Sequence, residues 1–235
     1  MARYELWYSD DLGNRLAYID DVIAFDYVSV LGGVGSLLVT IPSRGQIYDT
    51  TTRDRRIVIY RQPLNGVMGL EFVGLVRDSE YITSQQGQYQ RTLIAYDLNE
   101  ILTRRITAYY AQSAQVARTG AADDMMKDII TDNFISNADY SGTPSPSRSL
   151  TAVGLTVQAD LTAGPSLSKE FAWRNILPLL QDLQADSKEQ GTETFFGIIP
   201  TSETTMQFQT WTARADRTTS TGTNPLVFSL EWGNL

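Results

Sequence analysis

Residues 33–42 read GVGSLLVTIP, in which a glycine-rich turn leads into an alternating strand that ends at Pro42. Proline has no N–H to give to a ladder, so it marks a strand end. Before this stretch, 22–30 reads as a longer strand and 16–19 as a short one. Residues 10–14 (DDLGN) are a turn, and in 3–9 Tyr4, Leu6 and Tyr8 alternate with Arg3, Glu5 and Trp7, a period of two. Beyond Pro42, strands at 56–61 and 70–76 flank a turn at 63–66, and strands at 79–84 and 89–96 flank QQGQ at 85–88. Short strands at this spacing predict a barrel or a sandwich.

The pattern changes at Asp97, which can cap a short helix over 98–102 with Glu100 in its first turn. Ala122, Met125, Met126, Ile129, Ile130 and Phe134 recur at helical spacing and predict a helix over 121–134, capped by Thr119 or Gly120. Residues 137–148, with Gly142, Pro144 and Pro146, read as a mobile loop. A second helix is expected over 169–189, with Ser168 as cap and a stripe of Trp173, Ile176, Leu177, Leu180 and Leu183. Pro178 should kink it, and Gly191 should end it. A hairpin at 195–199 and 206–211, a polar stretch at 213–224 and a last strand at 226–232 complete the chain. The fold class is α+β: a β-barrel-like front domain over 1–106, then an α+β domain over 107–235 with two main helices and a hairpin, returning strands to the first domain.

Composition narrows the function. A chain of 235 residues buries roughly 70% of its unfolded surface and needs no covalent staple. It has no Cys and no His, which removes thiolate nucleophiles, Ser-His-Asp catalysis, His-ligated metals and the usual base near neutral pH. No catalytic residue, cofactor or metal is expected. The net charge of −8 opposes binding to nucleic acid or anionic lipid. Lys127, Lys169 and Lys188 are the only lysines among 19 cations, and arginine's planar, weakly hydrated head suits protein contacts. The opening MARYELWYSDDLGNR has no apolar core of a signal peptide, and no stretch reaches the ~20 apolar residues of a membrane span. A soluble protein made in the cytosol is expected.

The motifs have plain readings. Ser166-Leu167-Ser168-Lys169 matches the S-x-x-K of serine acylases, and Arg118-Thr119-Gly120 loosely mimics K-T-G, but no S-D-N triplet exists. Helix capping is the expected role of the serines. Asp124, Asp128 and Asp132 share one helix face; as a carboxylate pair they could serve glycoside hydrolysis, and as a solvated face they need no partner. Gly32-Gly33-Val34-Gly35 precedes a strand rather than a helix and is a turn, not a phosphate loop. The dense basic spots are Arg53, Arg55 and Arg56, and Arg104 and Arg105. They serve either as a solvated edge that blocks strand pairing or as subunit-interface residues that fix register.

Four segments together resemble the siphophage tail-hub family, whose larger members are tail-associated lysins: GVGSLLVTIP at 33–42; RRIVIYRQ at 55–62 followed by the Gly74-Leu75-Val76 strand; AYDLNEILTRRI at 95–106; and 171–191 followed by the hairpin and FSLEWGNL. The likeness spans nearly the whole chain and lies in order and texture more than in any signature residue. This family is similar to the baseplate hub of contractile tails. The resemblance implies a homotrimer at the tail tip that joins the six-fold distal tail protein ring to a three-fold tip and closes the tube. Its implied partners are that ring, the tail tube or tape-measure protein, and receptor-binding or tip proteins. DNA would pass the lumen without specific binding, with an acidic lining to help it slide, and no stable membrane insertion is expected. The family continues past the point where this chain stops, so the chain is either a fragment or a compact hub. The second reading is a carbohydrate-binding or cell-wall-cleaving tail-tip module that uses its Tyr and Trp side chains and paired carboxylates.

Overall fold

A computed structural model describes residues 2–43, 47, 52–64, 66–83, 87–107, 115–135 and 149–212. The first seven strands are β1 (Arg3–Ser9), β2 (Arg15–Tyr18), β3 (Ala24–Val28), β4 (Ser36–Pro42), β5 (Arg56–Gln62), β6 (Gly69–Thr83) and β7 (Tyr89–Asp97). They form one antiparallel sheet in the order β2-β1-β5-β6-β7-β4-β3. The sheet curls into a half-barrel, so that Tyr4 on β1 meets Phe25 on β3 edge-to-face at 5.2 Å although four strands separate β1 from β3 in the sheet order. Pro42 is the last residue of β4, as its missing N–H requires. The two strands expected at 70–76 and 79–84 are one 15-residue strand, bent by an irregularity between Val76 and Asp78. A bulge bends and twists a strand without ending it, which is how a sheet of this length curls.

Alternation decides the two cores. Leu37, Val39 and Ile41 on β4 and Ile57 and Ile59 on β5 fill the concave side of the curl. On β5 and β6 the intervening residues Val58, Val73 and Leu75 are also buried, against the second half of the chain. The near-continuous apolar runs IVIY and FVGLV are therefore strands covered on both faces.

The second half contributes α1 (Glu100–Thr103), β8 (Val116–Ala121), α2 (Ala122–Phe134), a 3-10 turn (Thr151–Val153), β9 (Leu155–Val157), β10 (Ser166–Phe171), α3 (Ile176–Glu189), β11 (Phe195–Pro200) and β12 (Met206–Trp211). β8 pairs with β10, and β11-β12-β9 form a three-stranded sheet in which β9 and β12 run parallel. The apolar face of α2 and that of α3 pack with Phe196 and Phe208 against the outer side of the curled sheet. The α+β architecture with a barrel-like front is as the sequence predicts. Among the described residues no strand of the second half enters the seven-stranded sheet. The loop expected at 137–148 and the strand expected at 226–232 lie outside the described residues.

Several local expectations are corrected. The helix foreseen over 169–189 starts at Ile176, because Ser166–Phe171 alternates Leu167 and Phe171 inward and is the strand β10. Its cap is Asn175, whose side chain accepts from the Leu177 N–H at 3.1 Å, and not Ser168. Pro178 then falls in the first turn, where backbone N–H groups have no intrahelical partner, so its missing N–H costs nothing and it need not kink the helix. Trp173 belongs to the bend before α3, at φ 52° and exposed, not to the apolar stripe. Gly191 does end α3, at φ 95°. Thr119 and Gly120 lie in β8, and α2 begins after Ala121 with no side-chain cap. α1 begins at Glu100 after Asn99; the Asp97 carboxylate instead accepts from the Gly35 N–H at 2.8 Å and the Asn99 N–H at 3.0 Å. Among the described residues no helix is long and apolar enough to cross a membrane.

Candidate assembly site

The two halves of the chain meet at a junction built from turns. The turn after β11 presents Glu203 to β2 and β5. Its carboxylate accepts from Arg15 Nε at 2.8 Å to each oxygen and also from the Tyr60 hydroxyl. The Arg15 guanidinium lies 4.1 Å over the Trp7 ring. The Arg15 hydrogen bonds, followed by that of Tyr60, hold the Glu203 carboxyl below its usual range. Backbone packs as closely as side chains here: a Cβ on Gly13 would stand 2.1 Å from the Glu203 carbonyl oxygen. The glycine-rich turn has a second role that no phosphate motif would suggest. Gly33 O accepts from Asn99 Nδ2 at 2.7 Å, Asn99 Oδ1 accepts from the Ile198 N–H at 2.7 Å, and Gln181 on α3 donates to Gly32 O at 3.0 Å.

The arginines proposed to meet a second subunit are distributed as follows. Arg56 is 2% exposed; it donates to the carbonyls of Glu203 and Asp11 at 2.8 Å and of Val153 at 3.3 Å, so it ties the chain to itself and is not open to a partner. Burial pushes its guanidinium below the usual value. Arg104 pairs with Asp54 at 2.7 Å, in a network with Arg77 and Glu100. Arg105 donates to Asn133 O at 2.8 Å and lies 4.6 Å over the Phe134 ring. Arg55 reaches Thr52 Oγ1 at 3.2 Å, and Arg53 is exposed. The structure brings Arg56, Arg104 and Arg105 to the lining of one cavity and leaves Arg53 at the surface.

The aspartates of α2 do not form an acid–base pair. Arg118 on β8 takes both Asp128, at 3.3 Å, and Asp132, which is buried rather than solvated. Asp124 turns to Asp123 and Asp160, and the three carboxylates lie within 4.8 Å of one another. Asp123 is satisfied by Lys127 Nζ at 3.0 Å and the Ala163 N–H at 2.6 Å, which leaves only Asp124 and Asp160 to meet a cation. Burial first, then the bond to Asp160 and the charge of Asp123, push the Asp124 carboxyl up to about 7, while Asp160 is held low as the acceptor of that bond. Ser166 and Lys169 sit three apart on a strand and so face opposite sides; Lys169 pairs with Asp186 at 2.5 Å instead.

Both edges of the curled sheet expose apolar side chains, interspersed with the charged Arg15 on β2 and Asp26 on β3. The β3 edge carries Ile23, Val28, Val30 and Leu31, and the β2 edge carries Leu12, Leu16 and Tyr18, all exposed. Sequence reading missed these edges, because alternation gives a strand's faces and not its place in the sheet. It also missed Glu203, whose turn SETT has no distinctive residue signal.

The model of the siphovirus ReqiPepy6 Gp37-like protein family matches residues 3–235. The chain belongs to this family. The resemblance to siphophage tail proteins read from the sequence is met at that level. No curated protein is significantly similar to the chain. Among solved structures it is similar to a tail protein from Neisseria meningitidis MC58, at 10% identity and a TM-score of 0.49 over 87% of this chain and 50% of that one. It is similar too to an Escherichia coli component of the type VI secretion system, described as structurally similar to the T4 phage tail proteins gp27 and gp5, at 8% identity and a TM-score of 0.46 over 82% and 46%. The Francisella PdpA–VgrG complex matches at 10% identity and a TM-score of 0.46 over 89% and 31%. The chain thus spans about half or less of the solved structures it matches.

Proposed function

We propose that the chain is a non-enzymatic structural hub at the tip of the phage tail, assembling as a homotrimer that joins the distal tail ring to the tip and closes the tube. The observation that carries this reading is the set of exposed apolar side chains at both edges of one curled sheet. Exposed apolar side chains at a sheet edge suit contact with another protein surface. Two different edges on one subunit suit head-to-tail contact, the β2 edge of one copy against the β3 edge of the next, and such contacts close into a ring when the rotation allows. Membership of a siphovirus family supports the setting. The distal ring, tube or tape-measure protein and receptor-binding proteins are the partners this role implies, and the net charge of −8 suits a lumen through which DNA slides.

The test is solution mass by light scattering across a concentration series. A trimer is expected, dissociated by Leu16→Asp or Val28→Asp alone, since each removes one side of every contact. A monomer at all concentrations, or a trimer indifferent to both substitutions, overturns the two-edge arrangement.

A further inference from the structure

A groove of about 400 Å³ is lined by residues 29–32, by 70–73 of β6, by 97–99 and by β11 with Trp211. Much of the lining is apolar. Val30, Leu31 and Ile199 are exposed, and Leu70 and Trp211 are half-buried. Residue 197 keeps the space open because it is glycine: a Cβ there would stand 3.5 Å from the Trp211 ring and 3.6 Å from Ile199, in ordinary contact. The two charged members of the lining, Glu71 and Asp97, are both acids. Glu71 accepts from the Tyr27 hydroxyl at 2.9 Å and pairs loosely with Arg61 at 3.4 Å. Asp97 pairs with no cation among the described residues and accepts only from the Gly35 and Asn99 N–H groups. Each of its oxygens keeps a lone pair beyond the N–H it accepts. Burial first, and the like charge of Glu100 on α1 last, push its carboxyl up to about 6 against those two N–H groups. A partly buried carboxylate without a counter-ion is poorly compensated.

We propose that this groove docks a segment of another protein that carries a lysine or arginine between apolar residues, the cation meeting Asp97 and the apolar side chains lying on Val30, Leu31, Ile199 and Trp211. Charge complementarity selects the partner and fixes its register. The apolar lining, with an aromatic ring in it, supplies the area that holds the segment. A second copy is a poor source of the cation: two of the chain's three lysines are held by Asp123 and Asp186, and its net charge is −8. The charged groups that face Asp97 are Glu71 on β6 and Glu100 on α1; residues 29–32, β11 and Trp211 bring none. The groove lies within one chain, so it stands whether or not the chain forms a trimer, although Val30 and Leu31 also belong to the β3 edge.

The experiment is calorimetric titration of the full chain with the peptide acetyl-Leu-Lys-Leu-amide, with the Leu-Gln-Leu and Gly-Lys-Gly peptides of the same form as controls for charge and for apolar contact. Saturable binding of the lysine peptide at one site per chain is expected, with each control about tenfold weaker, the scale of a lost charge-assisted bond or of the buried side chains. The cation meets the ionised carboxylate, so affinity should fall about tenfold from pH 7.5 to pH 5, and Asp97→Asn should weaken binding and flatten that profile. Should Asp97→Asn fail to fold, Glu71→Lys, at an exposed position, is expected to weaken binding several-fold, and Gly197→Leu to abolish it by filling the groove. The titration is run on the wild type and on Val28→Asp, which breaks the edge contact between copies, so that a groove covered by assembly is told apart from an absent site; binding to either form supports the assignment. No saturable binding to either form, equal binding of the glutamine peptide, affinity unchanged between pH 7.5 and pH 5, or binding unchanged in both Glu71→Lys and Gly197→Leu would overturn it. A solution mass lowered by Gly197→Leu, without peptide binding to either form, would make the groove a contact between copies instead.

Discussion

Replacing Glu203 by alanine removes the one carboxylate that the second half extends to Arg15 and Tyr60 of the first. The Arg15 side chain is 44% exposed and that of Glu203 17%, so solvent screens the pair and it contributes about 1 kcal/mol, the upper end for exposed pairs. The Tyr60 hydroxyl bond adds about 1 kcal/mol. The guanidinium remains over Trp7, so that contact survives. Glu203→Ala is therefore expected to cost about 2 kcal/mol at pH 7, lowering the melting temperature by about 4–8 °C for a chain of this size. Urea unfolding should show a lower midpoint at an unchanged slope. Because Arg15 and then Tyr60 depress the folded carboxyl, this stabilisation is present above the unfolded glutamate value and is lost as pH falls through the folded one. The gap between wild type and variant should hold at neutral pH and close in acid. A double-mutant cycle with Arg15→Ala should give a coupling of about 1 kcal/mol. A cost below about 0.5 kcal/mol, or a coupling near zero, would refute the view that this carboxylate latches the halves together.

Gly13→Ala should be costly, about 2–3 kcal/mol by urea midpoint, because φ is 94° and the new Cβ meets a carbonyl oxygen, whereas Gly87→Ala, at φ 78° with nothing within 4 Å, should cost only about 1 kcal/mol. Asp124 has its folded carboxyl raised to about 7, so its contribution is fully present below the unfolded aspartate value and lost as pH rises through about 7. The melting temperature of the wild type should thus fall between pH 5 and pH 8, and Asp124→Asn should flatten that decline; parallel profiles would count against the shared proton. Lys127→Met strands the buried Asp123 carboxylate without its 3.0 Å partner and should cost about 3–5 kcal/mol by chemical denaturation, while a cost under 1 kcal/mol would mean water reaches Asp123.

Most of the front sheet is legible along the chain. Alternation in RYELWYS and SLLVTIP, with Pro42 as a stop, is written in side-chain chemistry that acts over a few residues, and so is the α2 stripe. The absence of Cys and His likewise excluded whole mechanisms before any geometry was known. Local chemistry misled where two periods overlap: SLSKEF carries both a helix-cap signal and a strand alternation, and pairing with Val116–Ala121 decides for the strand. Only the tertiary structure decided the junction and the edges. Glu203 meets Arg15 across 188 residues, and Asn99 bridges the Gly33 turn and Ile198. Arg56 reads in sequence as one of a charged run, yet the turns of the second half close over it. Such contacts depend on how sheets pack in space, and which strands end a sheet depends on pairing order, so neither leaves a periodic trace along the chain.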